Sequence, residues 1–186
     1  MMSTTAELKQ VDPVSDSKAW DALIAALGEE NQPTATLARV EALYQREVGA
    51  IIFTVMSADF DTGMSRRLYS NHPEEYPTSG YKQSAAGKWN DLVFGEKKPY
   101  VANTIEEIAT VFHDHELIES LGCGSCINVP VVFEGNVLGT INILDKTGAY
   151  TPEKVERAMA LRPFAAIGIL AATVTEQASA IRAGKV

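Results

Sequence analysis

A chain of 186 residues with 46% hydrophobic and 22% charged residues and a mean hydropathy of -0.04 has the make-up of one globular domain, not of a disordered, fibrous or integral membrane protein. Acidic residues outnumber basic ones by 24 to 16; a charge of -8 without any basic run opposes a phosphate backbone, so no nucleic-acid partner is expected. The opening MMSTTAELKQ has no basic n-region before an apolar core, and no stretch reaches the ~18 apolar residues of a membrane span, so a cytoplasmic location without a membrane partner is expected.

Along the chain, Trp20, Leu23, Ile24 and Leu27 fall at helical spacing, with Ser17 as the expected N-cap and Gly28 as the stop. Pro33 opens a second helix with the stripe Leu37, Val40, Tyr44 and Val48, ending at Gly49. The apolar run Ala50 to Met56 reads as a strand buried on both faces, and Ser57 to Gly63 as the turn to a return strand over Met64 to Ser70. Asn71 to Gly87 shows no period and reads as a long loop, of the kind that carries function. A short helix with Trp89, Leu92 and Val93 runs to Gly95, and Pro99 to Ala102 reads as a strand at a sheet edge. Thr104 and Glu107 form a capping box, and Asp114 is placed to cap a helix ending at Gly122.

Ile127 to Phe133 and Val137 to Leu144 flank Glu134, Gly135 and Asn136 as a hairpin. A three-residue loop puts Ile127, Val129, Val131 and Phe133 on one apolar face with Val137, Gly139, Ile141 and Ile143. The reverse face carries Cys126, Asn128, Pro130 and Val132 opposite Leu144, Asn142, Thr140 and Leu138; its polar atoms need partners if buried. Thr151 and Pro152 start a long helical pattern that Pro163 breaks into abutting helices near Arg162.

Ser125-Cys126-Ile127-Asn128-Val129-Pro130-Val131, then Gly135, then Val137-Leu138-Gly139-Thr140-Ile141-Asn142-Ile143-Leu144 and Tyr150-Thr151-Pro152-Glu153, resembles the C-terminal half of a GAF domain. The resemblance implies an α+β fold: an antiparallel sheet of five or six strands with terminal helices on one face and a loop-covered small-molecule pocket on the other. Residues 15–176 are then one GAF-like domain, 1–14 a flexible N-terminus and 177–186 a helix end or tail. The family's free methionine sulfoxide reductases carry a reactive cysteine where this chain has Glu119 or Ser120, and acids where it has Cys126, Asn142 and Leu144, so that chemistry is not expected. The NKFDE-type motif of cyclic-nucleotide binders and the middle-loop cysteine of bilin carriers are also lacking.

His113-x-His115 with Cys123-x-x-Cys126 has donors suited to zinc, but Cys126 reads better as a buried strand residue and the histidines as an exposed helix junction. No metal and no cofactor are expected. The ligand-binding candidates are Arg67, Tyr69, His72, Tyr76, Tyr81, Lys82 and Trp89 on the covering segment, and Cys126, Asn128, Thr140 and Asn142 on the mixed face. Rings, hydroxyls and cations in that combination suit a small aromatic or carboxylate-bearing compound. Its carrier is then a sensor or a pathway accessory protein. The alternative is a small enzyme with His72 as general base and the loop tyrosines around an aromatic substrate. No spacing fixes a second catalytic group beside His72, so binding without turnover is preferred. The apolar surface of Trp20, Leu23, Ile24, Leu27, Ile167, Leu170 and Val174 points to a homodimer through the terminal helices.

Overall fold

Two helices lead into the sheet. The carboxylate of Asp16 accepts from the N–H groups of Lys18 at 3.0 Å and Ala19 at 3.3 Å and so caps α1 (Ser17–Leu27), one residue earlier than the expected cap at Ser17. Then follow α2 (Thr34–Glu47), β1 (Ile52–Ala58), β2 (Met64–Ser70), β3 (Tyr81–Gln83), α3 (Lys88–Asn90) with a π-helical turn over Asp91–Gly95, and β4 (Tyr100–Ala102). The order closes with α4 (Ile105–Ala109), α5 (His115–Ser120), β5 (Ser125–Phe133), β6 (Asn136–Asp145), α6 (Pro152–Ala160) and α7 (Arg162–Arg182). This computed structural model describes residues 16–59, 62–78, 80–83 and 87–184, and of Lys82 and Gln83 only the backbone. The expected N-terminal segment 1–14 and the side chain of Lys82 therefore lie outside the described residues.

The six strands form one antiparallel sheet in the order β3-β2-β1-β6-β5-β4. β3 lies inside the stretch expected to be irregular, and β4 takes the edge its preceding proline implied. On one face Leu23, Leu37, Val40, Tyr44, Phe164 and Ile169 from the helices pack against Phe53, Val55, Val129, Ile141 and Ile143. The other face joins Ile52, Cys126 and Leu144 to Tyr76, Ile108, Ile118 and Cys123 in a smaller apolar cluster. In α7 Gly168 lets the helix approach α2, since a Cβ there would lie 2.5 Å from Leu37 Cδ2. By length and composition α7 is also long and apolar enough to cross a membrane, contrary to the reading of the sequence. In this fold its Phe164, Ala165, Ile169 and Ala172 are buried in the helix-side core.

The β5–β6 register departs from expectation at its tip. Glu134 and Gly135, at φ 49° and 78°, form a two-residue turn that sets Phe133 opposite Asn136. A bulge between Val131 and Val132 then restores the expected pairing, so Val131 faces Gly139, Val129 faces Ile141 and Ile127 faces Ile143. Phe133 consequently leaves the apolar face and is 50% exposed. Thr104 caps α4 by accepting from the N–H of Glu107 at 3.3 Å, whereas the Glu107 carboxylate reaches back to the N–H of Asn103 at 2.7 Å, one residue before the reciprocal box partner. Asp114 makes no side-chain cap on α5.

Candidate ligand-binding site

A cavity of about 980 Å³ lies on the sheet face opposite the terminal helices. Alternation along β1, β5 and β6 turns Thr54, Met56, Cys126, Asn128, Thr140 and Asn142 into its floor. Its roof comes from Tyr76, the Gly87–Asn90 stretch with Phe94, and the α4–α5 junction from Thr110 to Asp114. That junction is a contributor the sequence did not announce: a capping motif marks where a helix starts, not what its flanking residues cover.

Asn128, Asn142 and Thr54 on the floor form a hydrogen-bonded row with Trp89. Trp89 Nε1–H donates to Asn128 Oδ1 at 2.9 Å, Asn128 Nδ2–H to Asn142 Oδ1 at 2.8 Å, and Asn142 Nδ2–H to Thr54 Oγ1 at 3.2 Å. The partners that these atoms need when buried thus come from within the protein. Trp89 also meets the rings of Phe94 and Phe112 edge-on, at centroid distances of 5.7 and 6.3 Å.

Arg67 stands at the β2 side of the cavity. Its guanidinium lies 5.1 Å from the Tyr76 ring centroid, and Nη1 donates to the Pro77 carbonyl at 3.1 Å. Its Nε is buried and has no hydrogen-bond partner among the described residues. Burial pushes the guanidinium pKa down, against the upward pull of Tyr76 and Asp114. Tyr76 donates its hydroxyl to Asp114 at 3.3 Å, and burial first, then the Asp114 charge, push the phenol up.

Of the candidates read from the sequence, Arg67, Tyr76, Trp89, Cys126, Asn128, Thr140 and Asn142 line the cavity. Tyr69, His72 and Tyr81 do not, and Lys82 has no described side chain. The reason for Tyr69 is a bulge in β2: Tyr69 pairs with Val55 but Arg67 with Met56, so the two residues point to opposite faces. Tyr69 accordingly donates to Glu41 on α2. His72 instead sits 3.6 Å from the Glu75 carboxylate, and Tyr81 is 57% exposed with Arg66 over its ring. Cys123 and Cys126 are buried free thiols, pushed up to about 11 and about 12 chiefly by that burial, so neither has the depressed pKa of a reactive cysteine.

Several solved structures share this architecture at low identity. A GAF domain from a phosphoenolpyruvate-protein phosphotransferase of Coxiella burnetii aligns at 14% identity and TM-score 0.57, covering 94% of this chain and 99% of its own. A domain of a two-component sensor histidine kinase from Sinorhizobium meliloti aligns at 15% identity and TM-score 0.55, covering 85% and 100%. The chromophore-binding domain of a bacteriophytochrome from R. palustris aligns at 13% and 0.59, covering 87% of this chain and 61% of its own. No curated protein matches the sequence. The GAF domain model matches residues 34–169, from the start of α2 into α7 and therefore across every strand of the sheet. With well over half of the chain matched and the sheet, helix layer and cavity in place, the chain belongs to the GAF domain family, a family of ligand-binding sensory modules.

Proposed function

We propose that this protein is a small-molecule-binding GAF module acting in the cytoplasm as a sensor or pathway accessory protein, and that its ligand is a small aromatic or carboxylate-bearing compound. One observation carries the reading: a cavity of about 980 Å³ combines an aromatic roof with a polar floor and a half-buried cation, the mixture that fixes a small ligand's position. The ligand-binding residues are those candidates that line it: Arg67, Tyr76, Trp89, Cys126, Asn128, Thr140 and Asn142. His72, the base of the alternative enzyme, is not among the residues lining the cavity, which supports binding without turnover. The active unit is a homodimer through the terminal helices.

Native mass spectrometry of freshly purified protein tests the binding reading. A co-purifying small molecule is expected in the natural chain and in smaller amount in Met56→Trp, whose larger side chain narrows the cavity from its floor. Empty protein in both, together with failure of a small-molecule screen to raise the thermal midpoint, counts against it.

A further inference from the structure

We infer that the cavity takes an aromatic carboxylate carrying a second hydrogen-bond acceptor, with the carboxylate on Arg67 and the acceptor on the Asn128–Asn142–Thr54 row. The inference rests on the cavity being a binding site and says which chemistry occupies each end.

The direction of the polar row is fixed by its first member. An indole N–H only donates, so the atom of Asn128 facing Trp89 must be the amide oxygen. Asn128 then has only its NH₂ to offer Asn142, whose oxygen receives it, and Asn142 has only its NH₂ to offer Thr54. Each oxygen in the row thus already holds a donor. Each amide keeps a second N–H, and the Thr54 hydroxyl keeps its hydrogen. A floor with hydrogens to give fits a carbonyl or similar acceptor, and mismatches a donor-only group.

The other end is set by Arg67. With Nη1 committed to the Pro77 carbonyl and Nε buried out of reach, Nη2 is the amino group that Arg67 has left to offer a carboxylate at the cavity wall. Asp114, in the same lining, already faces this guanidinium electrostatically, so a singly charged carboxylate fits better than a dianionic phosphate ester. Lys88 and His113, the remaining basic side chains of the lining, are exposed. Trp89, Phe94 and Phe112 of the same lining supply the aromatic surface for a planar ring to meet.

Titration calorimetry on the full chain tests this with 4-acetylbenzoate, its neutral counterpart 4-acetylbenzamide, and 4-ethylbenzoate, which keeps the shape but loses the acceptor. 4-Acetylbenzoate is expected to bind about tenfold or more tightly than either. Arg67→Gln should erase the preference over the amide and keep the preference over the ethyl compound. Trp89→Phe frees the Asn128 oxygen, lets the row reverse, and should erase only the second preference. If that variant fails to fold, Thr54→Val, which removes the hydroxyl at the end of the row, should weaken the same preference. Equal binding of the amide, or of the ethyl compound, overturns the inference. If none of the three binds while native mass spectrometry shows a different small molecule that Met56→Trp retains less of, the ligand class falls and the binding module stands. If nothing occupies the cavity under any condition, both fall.

Discussion

Arg67 and Asn142 both face the cavity, yet their removal should have opposite consequences for stability. Arg67 holds a buried N–H with no partner among the described residues, so Arg67→Met discards an unfavourable group along with one bond to Pro77 and should leave the thermal midpoint unchanged or higher. Asn142 is the middle of the polar row, and Asn142→Leu strands Asn128 and Thr54 at a cost of about 1–3 kcal/mol. Melting curves of the two variants check this; an Arg67 variant that melts several degrees early would make the guanidinium a structural group. Titration gives a second residue-level expectation. Cys123, Cys126 and Tyr76 all have raised pKa values, first through burial, so the fold favours their neutral forms. The unfolded chain then loses its thiol protons near pH ~8.5 and its phenol protons near ~10 while the folded chain still holds them. Stability from these groups is complete below that range and declines as pH rises through it. Urea midpoints should be flat from pH 7 to 8 and fall steadily toward pH 11, and a midpoint that holds to pH 11 would contradict the burial of these groups.

Among the elements, β1 and β6 depend on the smallness of Gly139. A Cβ there would lie 2.0 Å from the Met56 carbonyl oxygen and 3.0 Å from Ile169 Cδ1, so backbone as well as side chain must move. Gly139→Ala should cost about 1–3 kcal/mol, read as a lower urea midpoint with the slope of the transition unchanged. The two faces of this hairpin are legible in the sequence because β5 and β6 alternate between apolar and mixed residues over their whole length. Bulges are not legible, since one inserted residue alters the facing of every residue beyond it while leaving composition and periodicity almost untouched. At β5 the bulge compensates for a turn shorter than expected, and the inferred faces hold from Ser125 to Val131. At β2 nothing compensates, and Tyr69 ends on the helix side. β3 escapes notice for another reason: three residues are too few to show a period, and their strand character comes from pairing with Met64, Ser65 and Arg66.

For the molecule as a whole, the helix layer contains more apolar surface than the sheet covers. Trp20 and Leu23 are absorbed internally, Trp20 by stacking on Phe164 at 4.1 Å. Ile24, Leu27, Val174 and Ile181 remain exposed. A symmetric dimer through α1 and α7 would cover them, and light scattering should return about twice 20.1 kDa at micromolar concentration. Ile24→Glu with Val174→Glu should reduce it to the monomer mass without changing ligand affinity; a natural chain that already scatters as a monomer excludes the dimer. Family and architecture could be read from the C-terminal hairpin, because that pattern is continuous in sequence. Of the cavity's roof, Tyr76 and Trp89 could be read from the rings of the covering segment, but Phe112 could not, since it joins them from a separate stretch of the chain.

The placing of the indoles gives the protein two optical probes of separate events. The chain has two tryptophans, and the sheet divides them: Trp20 stacks within the helix layer, whereas Trp89 hangs into the cavity on a hydrogen bond to Asn128. Indole emission shifts with the polarity and hydrogen bonding around the ring. Occupancy of the cavity should therefore alter the light from Trp89, while loosening or association of the helices alters that from Trp20. A chain with Trp20 replaced by phenylalanine would report filling of the cavity alone, and one can then ask by wavelength whether a signal received on one side of the sheet is ever felt on the other.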